Sequence, residues 1–177
     1  MRRAESGFSM IEVLITIAIL MVGLLGLASL QANVAKAELE AYQRAQALVL
    51  VQELSDRILA NKRNAASYVK DDIGADGKEV DCKAMGMTGA DLDLCEFANA
   101  LVGASEKSSG GAAMGAMIGA RACVTSPSPN FYMITIAWQG VRRTAIPAEL
   151  CGQNQYGDDH LRRTVSFPVR VATLTVT

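Results

Sequence analysis

The chain has 177 residues, half of them hydrophobic, with 17 basic and 18 acidic side chains, one histidine and a net charge of −1. That length suits one domain plus an anchor, and the near-neutral balance argues against nucleic acid as the main partner. Four cysteines and one histidine occur without CxxC or HxxxH spacing, so neither a zinc site nor any other metal or cofactor is expected.

Residues 1–7 form a short charged leader ending at Gly7, and from Phe8 to Leu30 the only formal charge is Glu12. About 20 apolar residues cross a bilayer as a helix, so this stretch is long enough to span. It is too long for a secretory signal, whose apolar region runs to about 7–15 residues and ends at a small-residue cleavage site. An ordinary signal anchor would need neither Gly7 nor Glu12, and Arg2-Arg3 lacks the rest of a twin-arginine signal. The two arginines hold the leader in the cytoplasm and place the remainder on the far side of the membrane. A carboxylate inside an apolar span is costly, so Glu12 is a functional feature that needs a partner.

Gly7-Phe8-Ser-Met-Ile-Glu12 resembles the class III leader of type IV prepilins. The resemblance implies cleavage after Gly7 by prepilin peptidase, methylation of Phe8 as the new terminus, and Glu12 as the fifth residue of the mature chain. Cleavage would expose an ammonium on Phe8, one helical turn from Glu12. In a filament, Glu12 would pair with the terminal ammonium of a neighbouring subunit, relieving two charges in apolar surroundings. Loss of residues 1–7 lowers the basic and acidic counts from 17 and 18 to 15 and 17, a net charge of −2.

No proline or paired glycine interrupts the stretch from Gln31 to Asn61, which is rich in good helix formers. One helix from about Ser9 to Asn61 is predicted, roughly 80 Å long at 1.5 Å per residue. Its second half carries Ala37, Ala41, Ala45, Leu48, Val51, Leu54 and Ile58 at steps of three or four, the expected core stripe. Gly23 and Gly26 suit close helix packing, and also mark a point where the helix could bend. Many major pilins have a proline in this region, and this chain has none.

From Lys62 to about Gly115 the signals are irregular. Asp76-Gly77 reads as a turn, and Thr88-Gly-Ala-Asp91 as a capping box opening a short helix through Leu92, Phe97, Leu101 and Val102. Asp72 to Gly77 departs from a calcium loop at Gly74 and Lys83. Ser108-Ser-Gly-Gly111 is a flexible link. Gly111, Gly115 and Gly119 lead into a strand, since Arg121 rules out a membrane packing motif.

The last third alternates. Tyr132, Ile134, Ile136 and Trp138 form one apolar face, Val165, Phe167, Val169 and Val171 a second, and Ile118, Ala120, Ala122 and Val124 a weaker third. Pro168 assigns its strand to an edge or a bulge. Laying this sheet over the helix stripe gives an α+β architecture, a long N-terminal helix packed on a small antiparallel sheet, which is also the type IV pilin fold the resemblance implies. The segments are then 1–7 leader, 8–30 membrane and filament-core helix, 31–61 amphipathic continuation, and 62–177 globular head with αβ-loop and sheet.

Cys82, Cys95, Cys123 and Cys151 all follow the membrane segment, where an oxidising compartment favours disulfides. Three pairings are open. Closure of loops between neighbouring segments favours Cys82–Cys95 and Cys123–Cys151.

Gly23-Leu-Leu-Gly26-Leu-Ala28-Ser-Leu-Gln31, Leu54-Ser-Asp56-Arg57-Ile-Leu-Ala60-Asn61-Lys62-Arg63 and Tyr132-Met-Ile-Thr-Ile-Ala-Trp138 resemble PilV-type minor pilins. Ile58-Leu59 and Lys62 depart from that group, which often has Met-Arg and Arg there. The resemblance implies a low-abundance subunit in the inner membrane, single-pass with a periplasmic domain, and later at the pilus tip. Its partners would be other minor pilins, the major pilin and a tip adhesin, in a pilus serving adhesion and twitching. A minor pseudopilin of type II secretion shares leader and fold and is the alternative.

Asp56 and Arg57 read as helix surface charges, or as a contact with another minor pilin. An anchored enzyme would have to use His160, in Gly157-Asp-Asp-His160, yet no Gly-x-Ser-x-Gly elbow or metal-binding pair accompanies it. No catalysis and no small-molecule substrate are therefore expected. Arg142-Arg143 and Arg162-Arg163 could form a basic edge for DNA, but few aromatic residues surround them and solvated strand ends are the simpler reading.

Overall fold

A computed structural model describes residues 9–104, 109 and 116–172. Its contacts divide the chain into two compact units, residues up to Leu39 and those from Glu40 onward.

Helix α1, Met10–Ala60, matches the predicted helix almost to the residue. Within the first unit the helix buries nothing: every side chain from Met10 to Leu39 is exposed. In the second unit one face of α1 enters the core through Gln43, Ala47, Leu50, Val51, Leu54, Ser55 and Ile58. This corrects the predicted stripe. Val51, Leu54 and Ile58 belong to it, whereas Ala41, Ala45 and Leu48 lie exposed. Alanine is weak evidence for a core position, because it gains little from burial and suits either helix face.

After α1 the chain turns through a 3₁₀ segment, Lys62–Tyr68, that buries Ala65 and Tyr68. Strand β1, Lys70–Ile73, follows, then α2, Gly89–Leu101. Thr88 sits at the N-cap of α2 in extended conformation but makes no side-chain capping bond. The capping box is thus right in position and unrealised in chemistry. Leu94, Phe97 and Leu101 anchor α2 in the core, and Leu92 is only partly covered.

The sheet continues with β2, Arg121–Ser128, β3, Phe131–Gln139, and β4, Arg162–Arg170. Its order is β1-β2-β3-β4, antiparallel throughout. The weak strand predicted from Ile118 begins at Arg121 instead, because Gly119 turns with φ +60 and Ile118 faces solvent. Tyr132, Ile134, Ile136 and Trp138 join Ala122, Val124 and Val169 in the main core. Unlike the single buried face the alternation implies, the other face is also covered. There Cys123, Ala137, Cys151 and Tyr156 form a second, smaller cluster.

Pro168 lies on the edge strand, as its chemistry requires. The Val171 N–H donates to the Asn130 carbonyl at 2.9 Å, and the Gly140 N–H donates to the Leu161 carbonyl at 2.7 Å. With the register Tyr132↔Val169 through Trp138↔Arg163, these bonds make Arg163, Val165, Phe167 and Val169 the residues that exchange hydrogen bonds with β3. Pro168 falls in the alternate set, so its missing N–H costs the ladder nothing.

Candidate assembly site

Glu12 occupies the first turn of α1, where the unpaired backbone N–H groups and the helix dipole favour a carboxylate. Its own N–H donates to the Ser9 carbonyl at 3.0 Å, and its side chain is exposed. Around it the apolar side chains stand bare, including Met10 at 84% exposure and Ile11 at 65%. Each such side chain would gain about 1.5–3 kcal/mol on burial, so this surface is built to be covered by lipid or by another protein. α1 is long and apolar enough to cross a membrane. A methyl group added at Gly23 or Gly26 would meet no atom within 4 Å, so nothing in the described residues requires glycine there. Gly7 and Phe8, the predicted processing residues, lie outside the described residues, as do Ser108, Gly111 and Gly115.

Two disulfides tie the second unit together. Cys82–Cys95 fastens the segment after β1 to α2, and Cys123–Cys151 fastens β2 to the connector between β3 and β4. Glu12 lies in the first unit and the four cysteines in the second.

The predicted surface charges do different work in the folded head. Arg57 is gripped by three carboxylates: Glu53 at 2.9 Å, Glu96 at 2.9 Å and Asp93 at 3.2 Å. Burial opposes its charge, but hydrogen bonds to Glu96 and Glu53 outweigh that and raise its pKa. The buried Tyr68 hydroxyl donates to Asp93 and accepts from Asn61 at 3.3 Å. Burial, reinforced by Asp93, pushes the Tyr68 pKa up to about 12. Arg57 therefore joins α1 to α2 within one subunit, while Asp56 stays exposed and accepts from Gln52 at 3.0 Å.

Three of the four arginines of the suggested basic edge, Arg143, Arg162 and Arg163, are ion-paired within the head. Arg162 is 1% exposed, donating through Nε and Nη2 to the two carboxylate oxygens of Asp159, each at 2.8 Å. It also donates to the carbonyls of Glu149, Cys151 at 3.1 Å and Pro147 at 3.2 Å. The hydrogen bonds from Arg162 hold the Asp159 carboxyl below its ordinary pKa. Arg163 pairs with Glu40 at 3.1 Å and Arg143 with Asp158 at 3.0 Å. The Glu40 carboxylate also accepts from the Arg142 N–H at 3.1 Å.

His160 is likewise structural. Its Nδ1 meets the Thr144 carbonyl at 2.8 Å, and its N–H donates to Asp158 at 3.0 Å. No group of three or more His, Cys, Asp or Glu residues among the described residues is arranged to hold a metal ion. What sequence reading missed is this set of clamps. The only signal for the buried arginine was Asp159 three residues before Arg162, a spacing too common to assign burial.

No curated protein and no solved structure matches the chain. Residues 2–28 match the prokaryotic N-terminal methylation motif. That match supports the type IV pilin and pseudopilin class, and with it processing by prepilin peptidase, assembly with other pilins and single-pass anchoring in the inner membrane before assembly.

Proposed function

We propose that this chain is a PilV-type minor pilin. Prepilin peptidase cuts after Gly7 and methylates Phe8, and the apolar helix then leaves the inner membrane for the filament. Glu12 meets the Phe8 ammonium of a neighbouring subunit as the two bury their helices together. The head, on the periplasmic side before assembly, docks other minor pilins, the major pilin and a tip adhesin, priming the pilus near its tip. The observation that carries this reading is the bare apolar run from Met10 with one carboxylate at Glu12. It explains an otherwise uncompensated surface and gives its single charge a partner.

The intact mass of the chain extracted from its native membrane tests the processing. Loss of residues 1–7, one added methyl and four protons gained on reduction are expected. An uncut chain would return it to the ordinary anchored periplasmic proteins. Deleting the gene separates the pilus role from a type II pseudopilin: lost twitching and surface pili support the first, lost exoprotein release with normal pili the second.

A further inference from the structure

β4 ends the sheet of the described residues, and no described strand pairs with its outer edge. Because Arg163, Val165, Phe167 and Val169 spend their backbone groups on β3, the N–H and C=O groups of Thr164 and Ser166 point away from the sheet. No described residue pairs with them. The flanking positions are closed: the Arg162 N–H donates to the Asp159 carbonyl, the Arg162 carbonyl accepts from the Arg163 side chain at 3.3 Å, and Pro168 has no N–H. A short window of free donors and acceptors therefore lies between two blocked ends. Val165 and Phe167, packed on the core but only partly buried, belong to the same strand. Arg170, exposed just beyond, has no carboxylate partner among the described residues.

We infer that this edge takes up an extended strand from a different pilin-class subunit. The backbone pattern selects the occupant, since only an extended segment presents donors and acceptors at the spacing of Thr164 and Ser166. The occupant carries an apolar side chain that completes the cover of Val165 and Phe167, and an acidic side chain opposite Arg170. A second copy of this chain pairing through its own β4 would offer Pro168 and basic residues instead, and so fits poorly. The ladder is short and stops at Pro168, which limits the edge to a defined contact and prevents open-ended aggregation. This inference rests on the assembly role proposed above.

The test uses the full chain in piliated cells of its own host, with Thr164 replaced by the photo-crosslinker benzoylphenylalanine. A second chain carries the same probe at Leu20, in the apolar helix. Illumination is expected to join position 164 to an identified pilin-class subunit, within a peptide that forms a strand. Adding Ser166→Pro, which removes an outward N–H together with the Ser166 hydroxyl's bond to Thr135 at 2.9 Å, should cut that adduct about tenfold while the Leu20 adduct persists. Arg170→Glu leaves the ladder intact and should weaken the adduct too, so it carries the test if the proline variant fails to accumulate. No adduct at 164 alongside a normal Leu20 adduct overturns the inference and spares the assembly role, as does an adduct indifferent to both substitutions. An adduct to a second copy of this chain overturns the choice of occupant. Absence of both adducts overturns the assembly role and the inference with it.

Discussion

Replacing Arg162 by alanine removes a guanidinium that is 1% exposed and makes five hydrogen bonds, two to Asp159 and one each to the carbonyls of Pro147, Glu149 and Cys151. Hydrogen bonds to charged groups contribute about 1.5–3 kcal/mol each, but the sum overstates the loss because Asp159 can regain water. The three carbonyls are worse placed, since the cavity left by the side chain need not admit enough water to satisfy them. Breaking a buried charged network costs about 3–5 kcal/mol, the appropriate scale here. For a domain of this size that corresponds to about 6–20 °C in Tm, at about 2–4 °C per kcal/mol. Thermal unfolding by circular dichroism, in detergent and with both disulfides intact, measures it. Arg162→Lys should recover little, since an ammonium cannot reproduce a planar fork. A fall in Tm of less than about 3 °C for Arg162→Ala would refute the view that this side chain organises the connector.

Glu12→Ala should leave cleavage after Gly7 intact and deplete the subunit from sheared filaments, read by immunoblot of membrane and filament fractions; normal incorporation would contradict the charge pair. Opening Cys123–Cys151 by paired alanine substitutions should cost about 3.6 kcal/mol and opening Cys82–Cys95 about 3 kcal/mol by loop-closure entropy, from separations of 28 and 13 residues. Chemical denaturation of the two variants would give the ranking, and a reversed order would show that local packing outweighs chain entropy. Stability should also fall at both extremes of pH. The Asp159 pKa is depressed in the fold, so its contribution is present above the ordinary carboxylate range and is lost as pH drops through the folded value. Tyr68 is raised to about 12, so its contribution is complete below about pH 10 and disappears as pH climbs toward 12. In Tyr68→Phe the alkaline loss should flatten, which a series of melting curves against pH would reveal.

The readable parts of this fold are those governed by local chemistry. α1 runs from Met10 to Ala60 because nothing in that stretch opposes a helix, and β3 carries large apolar side chains at every second position because Tyr132, Ile134, Ile136 and Trp138 face the main core. Where tertiary contacts decide, sequence reading loses its grip. β1 is Lys-Asp-Asp-Ile, with only Ile73 buried, and it is a strand because β2 supplies the partner. The phase of the α1 stripe slipped because alanines occupy both faces, leaving Gln43 and Ser55 inside and Leu48 outside. For the candidate site, Glu12 is legible as one charge in an apolar run. Arg162 is not: a basic pair at the start of a strand ordinarily means solvent, and only the folded connector supplies carbonyls for it to bind.

The connector between β3 and β4 is fixed from behind. Arg162 holds the carbonyls of Pro147, Glu149 and Cys151, His160 and Thr144 bond to each other, and Cys151 is tied to β2. Meanwhile Val141, Ile146 and Leu150 face outward and contribute nothing to that path. Residues 141–150 can thus exchange their outward side chains while the backbone keeps its course. Mutation can redraw what this surface presents to the outside world without first having to solve the folding problem again.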